Sequence, residues 1–332
     1  MKSLVLKFFF LSILINQSYG QSLVYSQYYA SPLTSNPGLT GVFKGTTRLC
    51  ANYRSQWNNI NSNSALYNTP SLSVDVSIPE KNLAFGFVFV NDQTNDKIFN
   101  TLEAGASVGY KLRFNLFEIS MGIQGWYKQI YFDPTKVESS ILAVEPNLLD
   151  NYTNLDLNTG LIATYMFPNE KSSIFYGAAV SHLLAPRDQV VNNTLNRAKL
   201  AMRYMFHTGG SFSIKDEYRI MPGFFATYQS KSTQFNLGTS VGFHFLWDDY
   251  DRPSGTVFTG IWFRLNEFAM SAFIPQVGLE YNNFKIGFSY DYVTNSMSSG
   301  VTGRPNTLEL SLSYIFNRNR STDYSCLYSP YF

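Results

Sequence analysis

The sequence predicts an all-β fold, a transmembrane antiparallel β-barrel of about 14 strands of the outer-membrane type. Three observations carry that expectation. Aromatic residues make up 17% of the chain and charged residues only 14%, against about 25% charged in soluble domains. After the first 20 residues no apolar stretch approaches the ~20 residues that a membrane helix needs. Segments of about ten residues or more alternate between apolar and polar or small side chains, the length at which a tilted strand crosses a bilayer.

Residues 1–20 read as a secretory signal peptide. Lys2 and Lys7 flank and interrupt an apolar run from Leu4 to Ile15, and Ser18-Tyr19-Gly20 offers small residues where a signal peptidase cuts. The mature chain is expected to begin at Gln21, and with no Cys there a lipid anchor is not indicated. The leader carries two lysines and no acid, so the 25 Lys+Arg and 23 Asp+Glu of the whole chain leave a mature net charge of zero. That balance argues against nucleic acid or anionic lipid as a partner. Of the two cysteines, Cys50 and Cys326, an exported protein could make a disulfide; two unpaired thiols is the favoured reading, since sequence does not show geometry.

Residues 21–45 do not alternate. Tyr25, Tyr28, Tyr29, Leu33 and Leu39 make them too apolar for a solvated tail, and Pro32 and Pro37 remove two backbone donors. Irregular backbone cannot lie in lipid, so the segment is expected to be a periplasmic N-terminal plug in the barrel mouth or a docking segment. Ser26, Gln27 and Asn36 could then bond to Arg48, Arg54 or Gln56 on the first strand.

Residues 46–316 form the barrel, with strands expected at 46–57, 69–78, 82–91, 101–114, 116–130, 155–167, 173–183, 198–208, 218–229, 233–245, 255–264, 268–280, 284–293 and 306–316. In 101–114, Leu102, Ala104, Ala106, Val108, Tyr110, Leu112 and Phe114 oppose Glu103, Gly105, Ser107, Gly109, Lys111 and Arg113. In the last strand, Leu308, Leu310, Leu312, Tyr314 and Phe316 oppose Thr307, Glu309, Ser311 and Ser313. Gly, Ser and charges on one face suit a lumen and not a dry core. Tyr53, Trp57, Tyr110, Tyr165, Trp262 and Tyr314 fall where an aromatic girdle would sit. Long gaps follow the first, third, fifth and seventh strands, and short ones the second, fourth, sixth and twelfth. Short turns are periplasmic in such barrels, so both termini are expected there, including a C-terminal tail at 317–332. The links at 230–232, 246–254 and 265–267 break this parity and leave the count open by a hairpin.

No motif supports an enzyme. Gly-x-Ser-x-Gly occurs around Ser107 and Ser240, but that motif needs a sharp strand-to-helix turn, and both lie mid-strand. His244 stands four residues from Ser240, about 13 Å along a strand, too far for a hydrogen bond. His182, His207 and His244 share no metal-ligand spacing. Asp92 to Asp96 has acidic spacing without the Gly and Glu of a calcium loop. No metal and no cofactor are expected. The inward charges are mixed (Arg48, Arg54, Asp75, Glu103, Lys111, Arg113, Glu118, Lys128, Arg203, Lys285, Asp291 and Glu309), and a single-sign selectivity ring is not indicated; a bracing network or a held plug is.

Ser26-Gln27-Tyr28, Asn36-Pro37-Gly38, and Tyr53-Arg54-Ser55-Gln56-Trp57, in this order after a leader, resemble the opening of the PorP/SprF family. Asp75 in the second strand, Asn91-Asp92, Ser181-His182-Leu183 and Tyr290-Asp291 are similar to later family elements. The chain departs from the family at Gly38 and at Gly303 to Thr307, and 184–222 matches poorly. The resemblance implies a non-enzymatic outer-membrane barrel of the type IX secretion system of Bacteroidetes, which binds, secretes or anchors a cell-surface adhesin, including adhesins used in gliding. Its implied partners are the C-terminal domain of that adhesin, periplasmic secretion-system subunits, or both, within outer-membrane lipid. The family motifs make Ser26, Gln27, Tyr28, Asn36, Pro37, Arg54, Gln56, Trp57, Asp75, Asn91, Asp92, Tyr290 and Asp291 the candidate partner-binding or plug residues. The competing reading is a passive channel or hydrophobic-solute transporter.

Overall fold

The computed structural model describes residues 24–57, 67–94, 98–136, 151–168, 172–186, 199–215, 217–247, 253–267, 269–294 and 306–316. The leader, the tail at 317–332 with Cys326, and the segment Gly303 to Pro305 lie outside the described residues.

Fourteen strands close into one antiparallel barrel, each pairing with its sequence neighbours and the last with the first. They are β1 (Thr47–Gln56), β2 (Tyr67–Ile78), β3 (Leu83–Thr94), β4 (Phe99–Phe114), β5 (Phe117–Phe132), β6 (Asn151–Met166), β7 (Ser173–Ser181), β8 (Arg203–Ile214), β9 (Tyr218–Gln229), β10 (Ser232–Trp247), β11 (Pro253–Asn266), β12 (Ala269–Tyr281), β13 (Phe284–Val293) and β14 (Thr307–Phe316). Closure leaves no strand edge unpaired, the condition for backbone to cross lipid. No helix among the described residues is long and apolar enough to cross a membrane.

The alternation sorts the side chains as the sequence predicts. Leu310 and Leu312 are exposed on the outer surface, while Glu309, Ser311 and Ser313 are buried inside. Two details differ. The eighth strand was expected at 198–208 and runs instead over Arg203–Ile214, because pairing with β7 and β9 holds it through the Gly209-Gly210 stretch, where alternation is unreadable. Trp262 is not a girdle residue. The register of β11 turns it inward, where it is buried and packs against Tyr28.

The loops sort by end. Where the chain enters at Thr47 and leaves at Phe316, the connections are 79–82, 115–116, 167–172, 215–217, 248–252 and 282–283, all short. Asn82, Asn115 and Asn282 take the left-handed positions there (φ 56°, 22° and 53°), which Asn tolerates better than most residues. The long connections, 57–66, 133–150, 182–202 and 294–306, join strand ends at the other end. The two-residue links at 230–231 and 267–268 also join strand ends there, so they leave the strand count intact.

Residues 24–46 lie inside the barrel. They form a 3-10 turn (Tyr28–Ala30), one α-turn (Pro32–Ser35) and a second 3-10 turn (Pro37–Leu39). Each proline opens its turn, where its fixed φ suits a helix and its missing N–H costs nothing. Tyr28, Leu39, Val42 and Phe43 build a core with inward Ile162, Phe175, Met205, Phe225, Trp262 and Ile274. The lumen therefore carries an apolar lining where this inner segment covers it.

Candidate functional site: the inner segment and its seat

The segment starts high in the lumen and descends. Val24, the first described residue, offers its carbonyl to Arg54, two residues from the long-loop end of β1. Thr46, at its other end, bonds to Phe316 at the short-turn end.

The upper contact is polar. Glu309 accepts the backbone N–H groups of Ser26 and Gln27, each at 2.8 Å, and pairs with Arg54 at 3.2 Å. Ser26 Oγ donates to Asp291 at 2.6 Å, and Asp291 pairs with Arg264 at 2.8 Å. The Gln27 amide donates to Ser289 Oγ at 3.1 Å and accepts from Ser311 Oγ at 2.7 Å. Two cations and two anions thus balance while holding one short stretch of chain. Charge-assisted bonds of this kind are about twice as strong as neutral ones.

The middle contact is aromatic and close-packed. Tyr28 stacks on Phe225 with centroids 4.7 Å apart, and full burial pushes its phenol pKa up by desolvation. Asn36 is wholly buried. Its Nδ2 donates to the Leu161 carbonyl at 3.1 Å and to His207 Nε2 at 2.8 Å, and its Oδ1 accepts from the Gly38 N–H at 2.8 Å. The Asn36-Pro37-Gly38 turn lies on bare backbone of β5 and β6. A Cβ on Gly160 would fall 1.9 Å from Asn36 Oδ1.

The lower contact is again charged. Asp75 accepts from Arg48 at 2.8 and 3.0 Å and from the Gly41 N–H at 2.7 Å. Arg48 also donates to the Leu39 and Val42 carbonyls at 3.1 and 3.3 Å. Lys111 reaches the Gly41 carbonyl, and Thr40 Oγ1 donates to Ser107 at 2.9 Å. Gly41 takes φ +73°, and a Cβ on it would meet Ala84 at 2.3 Å; only glycine fits.

The structure brings together Ser26, Gln27, Tyr28, Asn36, Pro37, Arg54, Gln56, Asp75 and Asp291. The Gln56 amide, turned so that its oxygen accepts, meets Arg54 Nε at 3.0 Å. The expected partners were wrong in detail. Ser26 and Gln27 bind β11, β13 and β14, and Asn36 binds β6 and β8, whereas Arg48 and Arg54 hold backbone carbonyls. Asp92 bonds to Thr69 Oγ1 at 2.6 Å in the upper wall. Trp57 follows the last residue of β1 and packs edge-on against Tyr67 at 5.3 Å. Asn91 and Tyr290 alternate to the outer face, away from the segment. Sequence reading missed Arg264, Trp262, His207, Gly122 and Gly160 as members of this seat; Glu309 was visible only as an inward charge, while Arg48 was expected to meet the segment, with Ser26, Gln27 or Asn36 as its partner.

The other candidates resolve simply. Ser240 Oγ accepts from Trp262 Nε1 at 3.3 Å, and His244 meets Thr256 Oγ1 at 2.7 Å, so these two residues are engaged separately. Cys50 is a buried free thiol. Among the described residues no cluster of His, Cys, Asp or Glu could hold a metal.

A family model described as type IX secretion system membrane protein PorP/SprF matches residues 17–314. No curated protein matches the chain. Solved structures share the fold at low identity. The toluene transporter TbuX of Ralstonia pickettii superposes with a TM-score of 0.54 at 11% identity, covering 87% of this chain and 94% of its own. The toluene transporter TodX of Pseudomonas putida gives 0.54 at 9%, covering 90% and 99%. The CymD monoaromatic hydrocarbon channel gives 0.51 at 12%, covering 90% and 95%. At such identities the likeness is one of barrel architecture.

Proposed function

The chain belongs to the PorP/SprF family of type IX secretion system membrane proteins, and from that premise we propose that it is a non-enzymatic outer-membrane subunit that binds, secretes or anchors a cell-surface adhesin, with its lumen plugged by its own N-terminal segment. The observation that carries this reading is the inner segment. It is tied to the wall at three heights by charge-assisted bonds, stacking and backbone contact, which an open pore does not need. Thr47, Phe316 and the short turns face the periplasm in this reading, since short turns are periplasmic in such barrels. The adhesin's C-terminal domain or a periplasmic subunit then meets that face. Export by a cleaved leader before Gln21 belongs to the same reading.

Deletion of Ser22 to Thr40 behind an intact leader tests it, read by insertion, planar-bilayer conductance and retention of the surface adhesin. Steady conductance from the deleted barrel and none from the intact one supports the plug. A barrel that inserts, stays closed and keeps its adhesin refutes it and leaves a mere tether. Steady conductance from the intact barrel favours the passive-channel reading. Loss of the adhesin without conductance makes the segment a docking element.

A further inference from the structure

At the long-loop end, bordered by Thr34 of the inner segment, the lumen holds a chamber of about 150 Å3. At about 10–15 Å3 per water it takes about ten waters, roughly 300 Å3 of liquid, the size at which ligand pockets begin. A hexose displaces on the order of six waters, so one sugar ring has room. The wall is built in rows. Gly105, Trp126 and Asp156 stand side by side on β4, β5 and β6. Glu103, Lys128 and Asn154 form the next inward row, two residues nearer the long loops and so about 7 Å away. A Cβ on Gly105 would fall 2.9 Å from Trp126 Cε2 and 3.0 Å from Cδ2, the two atoms that the indole rings share, so the ring lies over bare backbone. Its Nε1 donates to Gln124 Oε1 at 2.7 Å, and Leu33, Val88 and Val90 pack against it. The indole is thus fixed at one edge and over one face, and its remaining surface lines the chamber.

The charges around that ring are matched. Asp92, Glu103 and Asp156 line the chamber together with Lys128, His182 and Arg203. His182 Nδ1 meets Asp156 Oδ2 at 2.5 Å, and the His182 N–H donates to Asn158 Oδ1 at 3.1 Å. Lys128 and Glu103 stand 3.5 Å apart, and their side chains stay 25% and 29% exposed. A set of both signs does not select an ion, as a ring of one sign would. It presents donors and acceptors together beside one aromatic surface. An ammonium donates three hydrogen bonds and a carboxylate accepts about four, so Lys128 and Glu103 have capacity for a guest as well as for each other. A hydroxyl both donates and accepts, and a pyranose carries several around a ring whose C–H face is apolar.

We propose that this chamber binds a neutral pyranose, with the C–H face of the sugar on the Trp126 indole and its hydroxyls among Glu103, Lys128 and Asp156. The site is independent of the adhesin-binding reading, and the two can fail separately.

The test uses the full mature chain in lipid nanodiscs and saturation-transfer NMR with the methyl glycosides of glucose, galactose, mannose and N-acetylglucosamine, each read against empty nanodiscs. Saturable transfer to the ring C–H protons of at least one is expected. Trp126→Ala weakens that binding at least tenfold. Gly105→Ala, whose added methyl displaces the indole, weakens it at least threefold, while Tyr127→Ala, on the exposed outer face, leaves it unchanged. No saturable transfer from any of the four, or an affinity unchanged by Trp126→Ala, overturns the proposal. So does an equal loss in Tyr127→Ala, which would trace the signal to the lipid-facing surface. Should Trp126→Ala not fold, the comparison of Gly105→Ala with Tyr127→Ala decides. Tighter binding of methyl glucuronide or of methyl glucosaminide than of methyl glucoside would overturn the neutral sugar in favour of a charged one.

Discussion

Pro37 and Gly122 meet with no space between them: a Cβ on Gly122 would fall 2.0 Å from the Pro37 carbonyl oxygen. The atoms in conflict would be backbone on one side and wall on the other, so neither can rotate away. Gly122→Ala is expected to unseat the Asn36-Pro37-Gly38 turn at a cost of about 1–3 kcal/mol, the usual range for overpacking. Amide exchange of residues 36–40 would rise while barrel insertion is kept. Gly125→Ala, where an added Cβ meets nothing within 4 Å, is the control. Equal exchange in both variants would show the seat to be loose.

Leu310 and Glu309 are neighbours with opposite surroundings. Leu310→Arg places a cation on the lipid face and should cost about 2–4 kcal/mol if it lies at the bilayer midplane, read from barrel folding in urea. From sequence alone, Glu309→Gln looks far cheaper, as a change in a wet lumen. The structure revises that expectation, because Glu309 is buried beneath Ser26 and Gln27 and pairs with Arg54. Removing its charge leaves Arg54 uncompensated, a loss of about 3–5 kcal/mol for a buried pair. That loss should fall on the inner segment and not on insertion. A Glu309→Gln protein with unchanged exchange at residues 26–27 would contradict it.

Cys50 faces the lumen from β1 and is 1% exposed. With Cys326→Ser removing the second thiol, the intact protein should label with a maleimide only slowly. Deleting Ser22 to Thr40 should raise the labelling rate at least tenfold if the inner segment is the cover. Equal rates would show that the barrel wall alone shields the thiol.

The barrel was legible because its code is local. Each strand writes its own faces in a period of two, and Leu310 beside Glu309 is enough to tell lipid from lumen. The eighth strand slipped because Gly209-Gly210 carries no side chains to alternate. The seat was legible only on the segment side. Ser26, Gln27, Asn36 and Pro37 stand out in a short non-alternating stretch, but their partners do not. The Ser26–Glu309 bond spans 283 residues, and nothing local marks Gly122 or Gly160 as a contact instead of an ordinary lumen glycine. Trp262 misled for the same reason. An aromatic near a strand end reads as a girdle until the register shows that it faces Tyr28.

Thr40 and Gly109 allow the motion of the segment to be tested directly. A Cβ on Gly109 would lie 2.9 Å from the Thr40 carbonyl oxygen and 3.2 Å from Thr40 Cβ, so the segment must move out by a few tenths of an ångström to reach the span of about 3.5–4.5 Å that a disulfide bridges. Thr40→Cys with Gly109→Cys, in a background of Cys50→Ser and Cys326→Ser, should therefore close a bond between the inner segment and β4. The compartment beyond the inner membrane is oxidising, so the bond should form in cells. The lower contacts, Arg48 with Leu39 and Val42 and Thr40 with Ser107, hold this part of the chain against the wall already. If adhesin export requires the segment to leave its seat, the oxidised protein blocks export and a membrane-permeant reductant restores it. If the segment is a fixed plug and the adhesin is handled wholly at the periplasmic face, export continues at the rate of the single-cysteine controls. The gel shift between oxidised and reduced protein confirms that the bond has formed, so unchanged export would then exclude a moving plug.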